Sequence, residues 1–289
     1  MPDELIAVTG ATGALGGRIA RRLAARNVPQ RLVVRTPARA PRLGGTEIAT
    51  ASYGDAGALH RALRGVATLL LVSASEDADR VALHTSTVDA ALGAGVSRIV
   101  YVSFLGAGPD ATFTFARHHG HTEQHIRGTG AAFTFLRNSL YLDMLPAFVG
   151  DDGVIRGPAG AGKVGAVARD DIADVAVEVL LGDGHDGLGY DVTGREAITL
   201  SEAAAQLARA AGRPITYHAE TLDEARASRA GYGVEAWELE GWVSSYAAIA
   251  TGELDVVTDT VPELTGHPAM TLSEHLQANP LVSSPDSRD

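Results

Sequence analysis

The stretch VTGATGALGGRIARRL, residues 8–23, decides the fold class, because an apolar strand pattern runs through a glycine-rich turn directly into a helix pattern. A loop without Cβ atoms can turn sharply and bring backbone N–H groups to a pyrophosphate, whose charge the N-terminus of the helix favours. In this context the stretch predicts a dinucleotide-binding loop rather than a tight turn without a ligand. The predicted contacts are Gly10, Thr12, Gly13, Ala14, Leu15 and Gly16.

Apolar runs of strand length alternate with amphipathic helix patterns over about the first 150 residues. This alternation is typical of βα units around a parallel sheet, so we expect an α/β fold with a Rossmann-type doubly wound sheet. The second half is less regular, with a helix predicted over 169–183 and a strand, turn and helix over 189–213, the last helix having Thr199 or Ser201 as its candidate N-cap. The six strands predicted in the first half span residues 5–10, 31–35, 47–51, 68–73, 98–103 and 133–138.

Composition excludes several classes of function. The formal net charge of −11 and the pI near 5.3 argue against binding to nucleic acid, which needs clustered Lys and Arg. Cysteine is absent, which excludes disulfides and thiolate chemistry and suits a reducing cytoplasm. No secretory signal pattern and no apolar run of membrane-spanning length is present, so we expect a cytoplasmic protein.

The adenosine end of the predicted cofactor site is read from the ends of the next strands. Arg35 stands where an NAD-specific site would usually place an acidic residue, and a guanidinium can bind a 2′-phosphate through charge-assisted hydrogen bonds. NADPH is therefore the expected cofactor, with NADH as the alternative if Arg35 only stacks on adenine. Asp55 is predicted to cap a helix or to meet the adenine, and Ser73 and Ala74 are predicted to run beside the cofactor.

The stretch FARHHGHTEQHI, residues 115–126, raises the question of the proton donor, because no Tyr-x-x-x-Lys pair occurs in the chain. His119 and Glu123 lie four residues apart and should share a helix face, so His119 is a candidate acid or base whose tautomer Glu123 would hold. A solvated helix surface is the alternative. A metal site built from the neighbouring histidines is not expected, because no third-ligand motif accompanies them.

Three more residues are candidates for the reacting end of the site. Ser103 ends the fifth predicted strand, facing the crevice where ligands bind in open α/β sheets. Asn138 and Tyr141 follow the sixth strand, and the phenol of Tyr141 could donate to a quinone or ketone oxygen. Each has an ordinary structural alternative. Residues 231–254 contain both tryptophans and are predicted to cover the substrate cleft, with a core or dimer contact as the alternative.

Several of these motifs are familiar in combination. The runs TGATGALG, VVRTPARA, HHGHTE, FTFLRNSLY and LTGHPAMTLSEHL resemble, in the same order, the NmrA-like branch of atypical short-chain dehydrogenases, particularly its NADPH:quinone oxidoreductase type. The resemblance covers almost the whole chain. It implies a Rossmann domain, residues 1–150, and a smaller C-terminal α/β lobe, residues 151–289, interleaved with the first and forming the substrate cleft with it.

The resemblance leaves three functions open. It implies an NAD(P)H-dependent oxidoreductase acting on a quinone or polycyclic aromatic molecule, in aromatic polyketide secondary metabolism such as antibiotic biosynthesis. The alternatives are a tailoring monooxygenase that hydroxylates a polycyclic aromatic without flavin, and a non-catalytic sensor of NAD(P). The expected partner is a small aromatic or quinone substrate, and homo-oligomerisation is left open.

Overall fold

A computed structural model describes residues 4–281, so the last residues of the predicted lobe, 282–289, lie outside it. The strands are β1 (Ile6–Thr9), β2 (Gln30–Val34), β3 (Thr46–Thr50), β4 (Thr68–Val72), β5 (Arg98–Phe104), β6 (Ala132–Asn138), β7 (Val154–Gly157), β8 (Lys163–Val164), β9 (Leu188–Val192), β10 (Ile198–Thr199) and β11 (Thr216–Ala219). The α-helices are α1 (Ala14–Ala25), α2 (Ala56–Ala62), α3 (Arg80–Gly93), α4 (Thr114–Gly128), α5 (Arg169–Leu181), α6 (Leu200–Ala211), α7 (Leu222–Arg229), α8 (Ala236–Ala250), α9 (Thr260–Thr265) and α10 (Leu272–Ala278).

Seven strands form one parallel sheet in the order β3-β2-β1-β4-β5-β6-β9. The six predicted strands agree with β1–β6 to within one or two residues, and the predicted Rossmann-type fold is confirmed. Strand order reverses between β1 and β4: the chain moves outward to β2 and β3 on one side, and to β5 and β6 on the other. Ligands bind at such a reversal, beyond the carboxyl ends of the strands.

Helices cover both faces of the sheet, which explains why its strands are apolar on both sides. One core lies under α1 and α5 and contains Val8 and Val100; the other lies under α2, α3 and α4 and contains Ala7 and Tyr101. Residues of β1 and β5 therefore alternate between the two cores, as the pleat of a strand requires. The polar side chains at the strand ends are consequently directed to one face or the other.

The chain returns to the sheet after residue 150 before it builds its own small layer. The predicted helix over 169–183 is α5, which packs against α1, and β9 follows it to pair in parallel with β6. Two small sheets, β8 with β10 and β7 with β11, share a further core with α6, α8 and α10. Thr199 caps α6 in a reciprocal pair with Glu202, which resolves the choice of cap in favour of Thr199.

Candidate functional site

The glycine loop between β1 and α1 is shaped so that its glycines cannot be replaced freely. Gly10 has φ +64°, in the region that favours glycine, and its carbonyl accepts a 2.9 Å hydrogen bond from the Gly13 amide. A Cβ on Gly16 would lie 2.5 Å from the Gly10 carbonyl oxygen and 2.9 Å from that of Thr9. The close approach of helix and loop therefore requires glycine at position 16.

The first turn of α1 offers backbone N–H groups to a ligand. Its N-cap is Gly13, which has no side chain to accept them, and no acidic residue lies in the first turn. Thr12 and Ala14 are exposed there, while Leu15 is buried in the core and anchors the turn. The turn combines free donors with the positive end of the helix dipole, so it fits a pyrophosphate.

A cavity of about 250 Å³ lies beside this loop at the reversal between β1 and β4. Arg35, at the end of β2, lines it, is exposed, and forms no ion pair with another residue of 4–281. Ser73 and Ala74 also line it. Asp55 instead caps α2, where its carboxylate accepts a 2.8 Å bond from the Ala58 amide, so the capping alternative is the one that the structure shows. The cavity can take the adenosine end of a dinucleotide.

A second cavity, of about 370 Å³, begins where the first ends, because both are lined by Ser73, Ala74 and Ser75. It lies beyond the carboxyl ends of β4, β5 and β6. The structure brings three of the predicted reacting-end residues together in its wall, namely Ser103, His119 and Tyr141. Asn138 is completely buried next to them at the end of β6.

His119 is only 5% exposed, and both of its ring nitrogens face protein groups. Arg80 Nη2 lies 3.1 Å from Nε2, and because an arginine can only donate, Nε2 accepts. The ring proton is therefore on Nδ1, 2.8 Å from the hydroxyl of Tyr101. Burial, followed by the charge of Arg80, lowers the pKa of His119 well below its usual value. Its one proton faces Tyr101 rather than the cavity, which favours a positioning role over the predicted acid–base role.

The expectation that Glu123 holds the tautomer of His119 is wrong. Glu123 is 1% exposed, and its two carboxylate oxygens accept hydrogen bonds of 2.8 and 2.6 Å from two nitrogens of Arg137, which lies on strand β6. Ser103 also donates to Glu123, at 2.7 Å. Helix spacing correctly placed His119 and Glu123 on one helix face, which the structure shows to be buried. It could not show that the sheet beneath supplies Arg137 to Glu123 and Tyr101 to His119.

Tyr141 stands between β6 and a short 3₁₀ helix, Leu142–Phe148, which it caps rather than enters. The guanidinium carbon of Arg169 lies 4.6 Å from the centre of its ring. Burial raises the pKa of the Tyr141 phenol, opposed by the neighbouring Asn138 amide and by Arg169. Tyr141 is therefore a protonated phenol at neutral pH, able to donate a hydrogen bond. Neither amide atom of Asn138 has a hydrogen-bond partner among residues 4–281.

An outer cavity of about 670 Å³ continues from the second one, sharing Phe113, Leu140 and Met144 with it. Its far wall comes from α8 and the turn before it and includes Trp242, one of the two tryptophans of residues 231–254. Trp242 Nε1 lies 3.3 Å from a carboxylate oxygen of Glu76, so the loop after β4 meets α8 across the opening. One continuous groove runs from the first cavity, beside the glycine loop, through the second (the middle cavity) to the outer cavity, a chamber lined by aromatic residues.

Sequence reasoning missed Arg80, which lines the groove, and His84, which is completely buried behind it. Arg80 Nε donates to the Ala74 carbonyl at 3.0 Å, and the Ala74 amide donates to His84 Nε2 at 2.8 Å. Burial lowers the pKa of His84 to about 3, so His84 is a neutral acceptor. Together the two residues hold the Ala74 peptide where the first two cavities join. Their only signal in the sequence was that each is a polar residue at helix spacing among the apolar residues of α3.

The other histidines of residues 115–126 lie in different surroundings. His121 is exposed, and His125 Nε2 lies 2.7 Å from Asp89 on α3. Within residues 4–281 no three His, Asp or Glu side chains are grouped so that they could hold a metal ion. In the same range no helix combines the length and the apolar character needed to cross a membrane.

Comparison with known proteins agrees with this geometry. Residues 10–183 match the model of a family described as NAD(P)H-binding. A reductase of (4-alkanoyl-5-oxo-2,5-dihydrofuran-3-yl)methyl phosphate from Streptomyces griseus is 38% identical, over 95% of this chain and 99% of that protein. An NAD(P)H azoreductase from Xenophilus azovorans is 33% identical, over 95% and 98% of the two chains.

Solved structures share the fold over nearly the whole chain. The NADPH-dependent quinone oxidoreductase QOR2 of Escherichia coli, in complex with NADPH, has a TM-score of 0.86 at 34% identity and covers 94% of this chain and 99% of its own. NmrA, a negative transcriptional regulator in complex with NAD, has a TM-score of 0.78 at 17% identity, covers 97% and 96%, and shows a likeness of fold alone.

Proposed function

The chain belongs to the NAD(P)H-binding family, in its NmrA-like branch, and on that premise we propose that it is a reductase that transfers hydride from NADPH to a quinone or quinone-like polycyclic aromatic acceptor. One observation carries the proposal: the groove joins the glycine loop to an aromatic chamber through a middle cavity whose wall histidine, His119, is neutral and has its ring proton directed at Tyr101. Quinone reduction suits such a site, because water readily protonates hydroquinone oxygens.

The residues divide the work along the groove. Gly10, Gly13 and Gly16 shape the loop, and the first-turn amides of α1 bind the pyrophosphate, with Thr12, Ala14 and Leu15 in the same turn. Arg35 binds the 2′-phosphate of the adenosine, which selects NADPH over NADH. The bound nicotinamide supplies a hydride. Residues 1–150 supply the cofactor site in this proposal, and 151–289 supply the outer wall of the substrate chamber.

At the reacting end, Tyr141 donates a hydrogen bond to an acceptor oxygen, and its protonated phenol is stabilised by burial. Ser103 lines the same cavity while its proton is held by Glu123. Asn138 lies next to Tyr141 at the end of β6, and His119 positions the wall around Arg80. Apolar side chains of the outer chamber exclude water from the acceptor ring, so that the acceptor oxygens are the groups that form hydrogen bonds with the protein.

Support for the substrate class comes from the relatives. The related proteins are named for reducing quinones, azo compounds and an oxo-dihydrofuran, all of them conjugated acceptors. We extend the proposal to polycyclic quinones of aromatic polyketide metabolism, since the chamber of about 670 Å³ is wide enough for a fused-ring molecule.

The test is NADPH oxidation by the purified protein with a panel of naphthoquinones and anthraquinones, with and without oxygen, and with products weighed by mass spectrometry. The proposal predicts a hydroquinone two mass units heavier than the quinone, at a rate that does not depend on oxygen. A product that has gained an oxygen atom would identify a monooxygenase instead. Tight nucleotide binding without turnover across the panel would identify a sensor.

A further inference from the structure

Arg80 is a buried cation without an ion pair among residues 4–281. The side chain is only 6% exposed, and its hydrogen-bond partners are the Ala74 carbonyl and the neutral His119 ring. Arg229, another buried arginine, is 8% exposed but has a carboxylate oxygen of Glu220 at 2.7 Å. The fold therefore compensates one buried guanidinium with a carboxylate and leaves the other to neutral partners.

The position of Arg80 adds to this electrostatic cost. It is the first residue of α3, so its charge lies at the positive end of the helix dipole, where an anion would be favoured. Burial lowers the pKa of its guanidinium, a sign that the surroundings disfavour the charge. A cation kept at such a place without a counter-ion marks a site that an anion would complete.

Arg80 is part of the wall of the middle cavity. Arg80 lines that cavity together with Tyr141 and Ser139, and the hydroxyl of Ser139, which is completely buried, has no hydrogen-bond partner among the described residues. Glu76 also lines this cavity, but its side chain is exposed, accepts a 3.3 Å hydrogen bond from Trp242 Nε1 and forms no ion pair with Arg80. Two unmatched polar groups, a cation and a hydroxyl, thus line one wall beside the Tyr141 phenol.

We propose that Arg80 is the anion-binding group of the middle cavity and that it binds the acceptor oxygen that becomes negatively charged on reduction. The inference rests on the proposed function and narrows its substrate class. A hydride brings two electrons and one proton to a quinone, oxidising NADPH to NADP⁺, so one oxygen carries a negative charge until water protonates it. A buried guanidinium stabilises that charge, favours neutral or anionic carbonyl acceptors, and disfavours cationic ones.

A binding experiment tests Arg80 apart from turnover. Naphthalene-2-sulfonate and 2-naphthyltrimethylammonium are matched in shape and opposite in charge, and their affinities for the NADP⁺-loaded protein can be measured by calorimetry. Arg80→Gln should weaken sulfonate binding at least tenfold and leave ammonium binding unchanged or stronger. Arg80→Lys, which keeps the charge, should retain most of the sulfonate affinity. Arg98→Gln is the control, because Arg98 binds the carbonyls of α5 from the far end of β5.

Steady-state kinetics of the same variants distinguish the role of Arg80 from the proposed quinone reductase activity. Arg80→Gln should lower kcat/KM for 1,4-naphthoquinone about 100-fold at saturating NADPH, the lower end of the effect of removing an oxyanion donor. Unchanged kcat/KM, or loss of both naphthalene probes alike, would overturn the role of Arg80. A wild-type protein that binds the sulfonate through Arg80 but reduces no quinone would instead overturn the proposed function and leave the anion site standing.

Discussion

Replacing Gly16 by alanine should damage the cofactor site through a defined collision. The added Cβ would lie 2.5 Å from the Gly10 carbonyl oxygen and 2.7 Å from the Gly10 carbonyl carbon, so the loop and α1 must separate by about 1 Å to restore an ordinary contact of roughly 3.5 Å. Overpacking of this kind typically costs about 1–3 kcal/mol. The Gly10 carbonyl also holds the Gly13 amide, so the displacement moves the turn that would bind the pyrophosphate.

The assay is fluorescence titration of NADPH together with thermal unfolding of the cofactor-free protein. A tenfold change in Kd corresponds to about 1.4 kcal/mol, so a cost of about 1–3 kcal/mol at the cofactor site should make Gly16→Ala bind NADPH about 5- to 150-fold more weakly. Its Tm should fall by about 2–6 °C. Gly44→Ala is the matched control, because a Cβ at Gly44 has no heavy atom within 4 Å. An NADPH affinity within twofold of wild type in Gly16→Ala, or an equal loss in Gly44→Ala, would refute the reasoning.

Two further predictions concern charge. Arg35→Ala should raise the Kd of NADPH about 10–100-fold and that of NADH much less, because the substitution removes charge-assisted hydrogen bonds to the 2′-phosphate. Calorimetry measures both Kd values, and an equal effect on the two nucleotides would contradict the prediction. His84 has a folded-state pKa of about 3, below the value near 6.5 of an unfolded histidine, so its contribution to stability is complete above pH 6.5 and is lost as the pH falls toward 3. Urea unfolding between pH 4 and 6 should show that His84 lowers the free energy of unfolding by up to about 1.4 kcal/mol for each pH unit of acidification. In His84→Gln this part of the pH dependence should be absent. The same pH dependence in the variant and the wild type would show that the folded protein protonates His84 freely.

The first half of the fold could be predicted because its signals are local. The run at residues 8–23 contains strand, turn and helix in sequence, and each later strand of that half is a short apolar run between helix patterns. Thr199 as a helix cap followed from the same kind of local chemistry. The return of β9 to the edge of the sheet beside β6 could not be predicted, because its residues Leu188–Val192 are half polar and partly exposed.

The middle cavity was harder to predict, because its chemistry depends on contacts between distant residues. Spacing placed His119 and Glu123 on one face of α4, but only the fold shows that this face is buried and that Arg80, 39 residues earlier, fixes the tautomer of His119. Glu123 gave no sequence sign of pairing with Arg137 across the helix–sheet boundary. Arg80 itself looked like an ordinary helix residue until its burial and the absence of an acidic partner within residues 4–281 were seen.

The central claim is hydride transfer from NADPH to a quinone in this groove, and an anaerobic single turnover tests it most directly. Protein saturated with NADPH would be mixed with 1,4-naphthoquinone in a stopped-flow instrument while NADPH absorbance is followed, once with ordinary and once with C4-deuterated NADPH. The account predicts one hydroquinone formed per NADPH consumed and a slower reaction with the deuterated cofactor. Bound NADPH that persists unchanged in the presence of the quinone would contradict it.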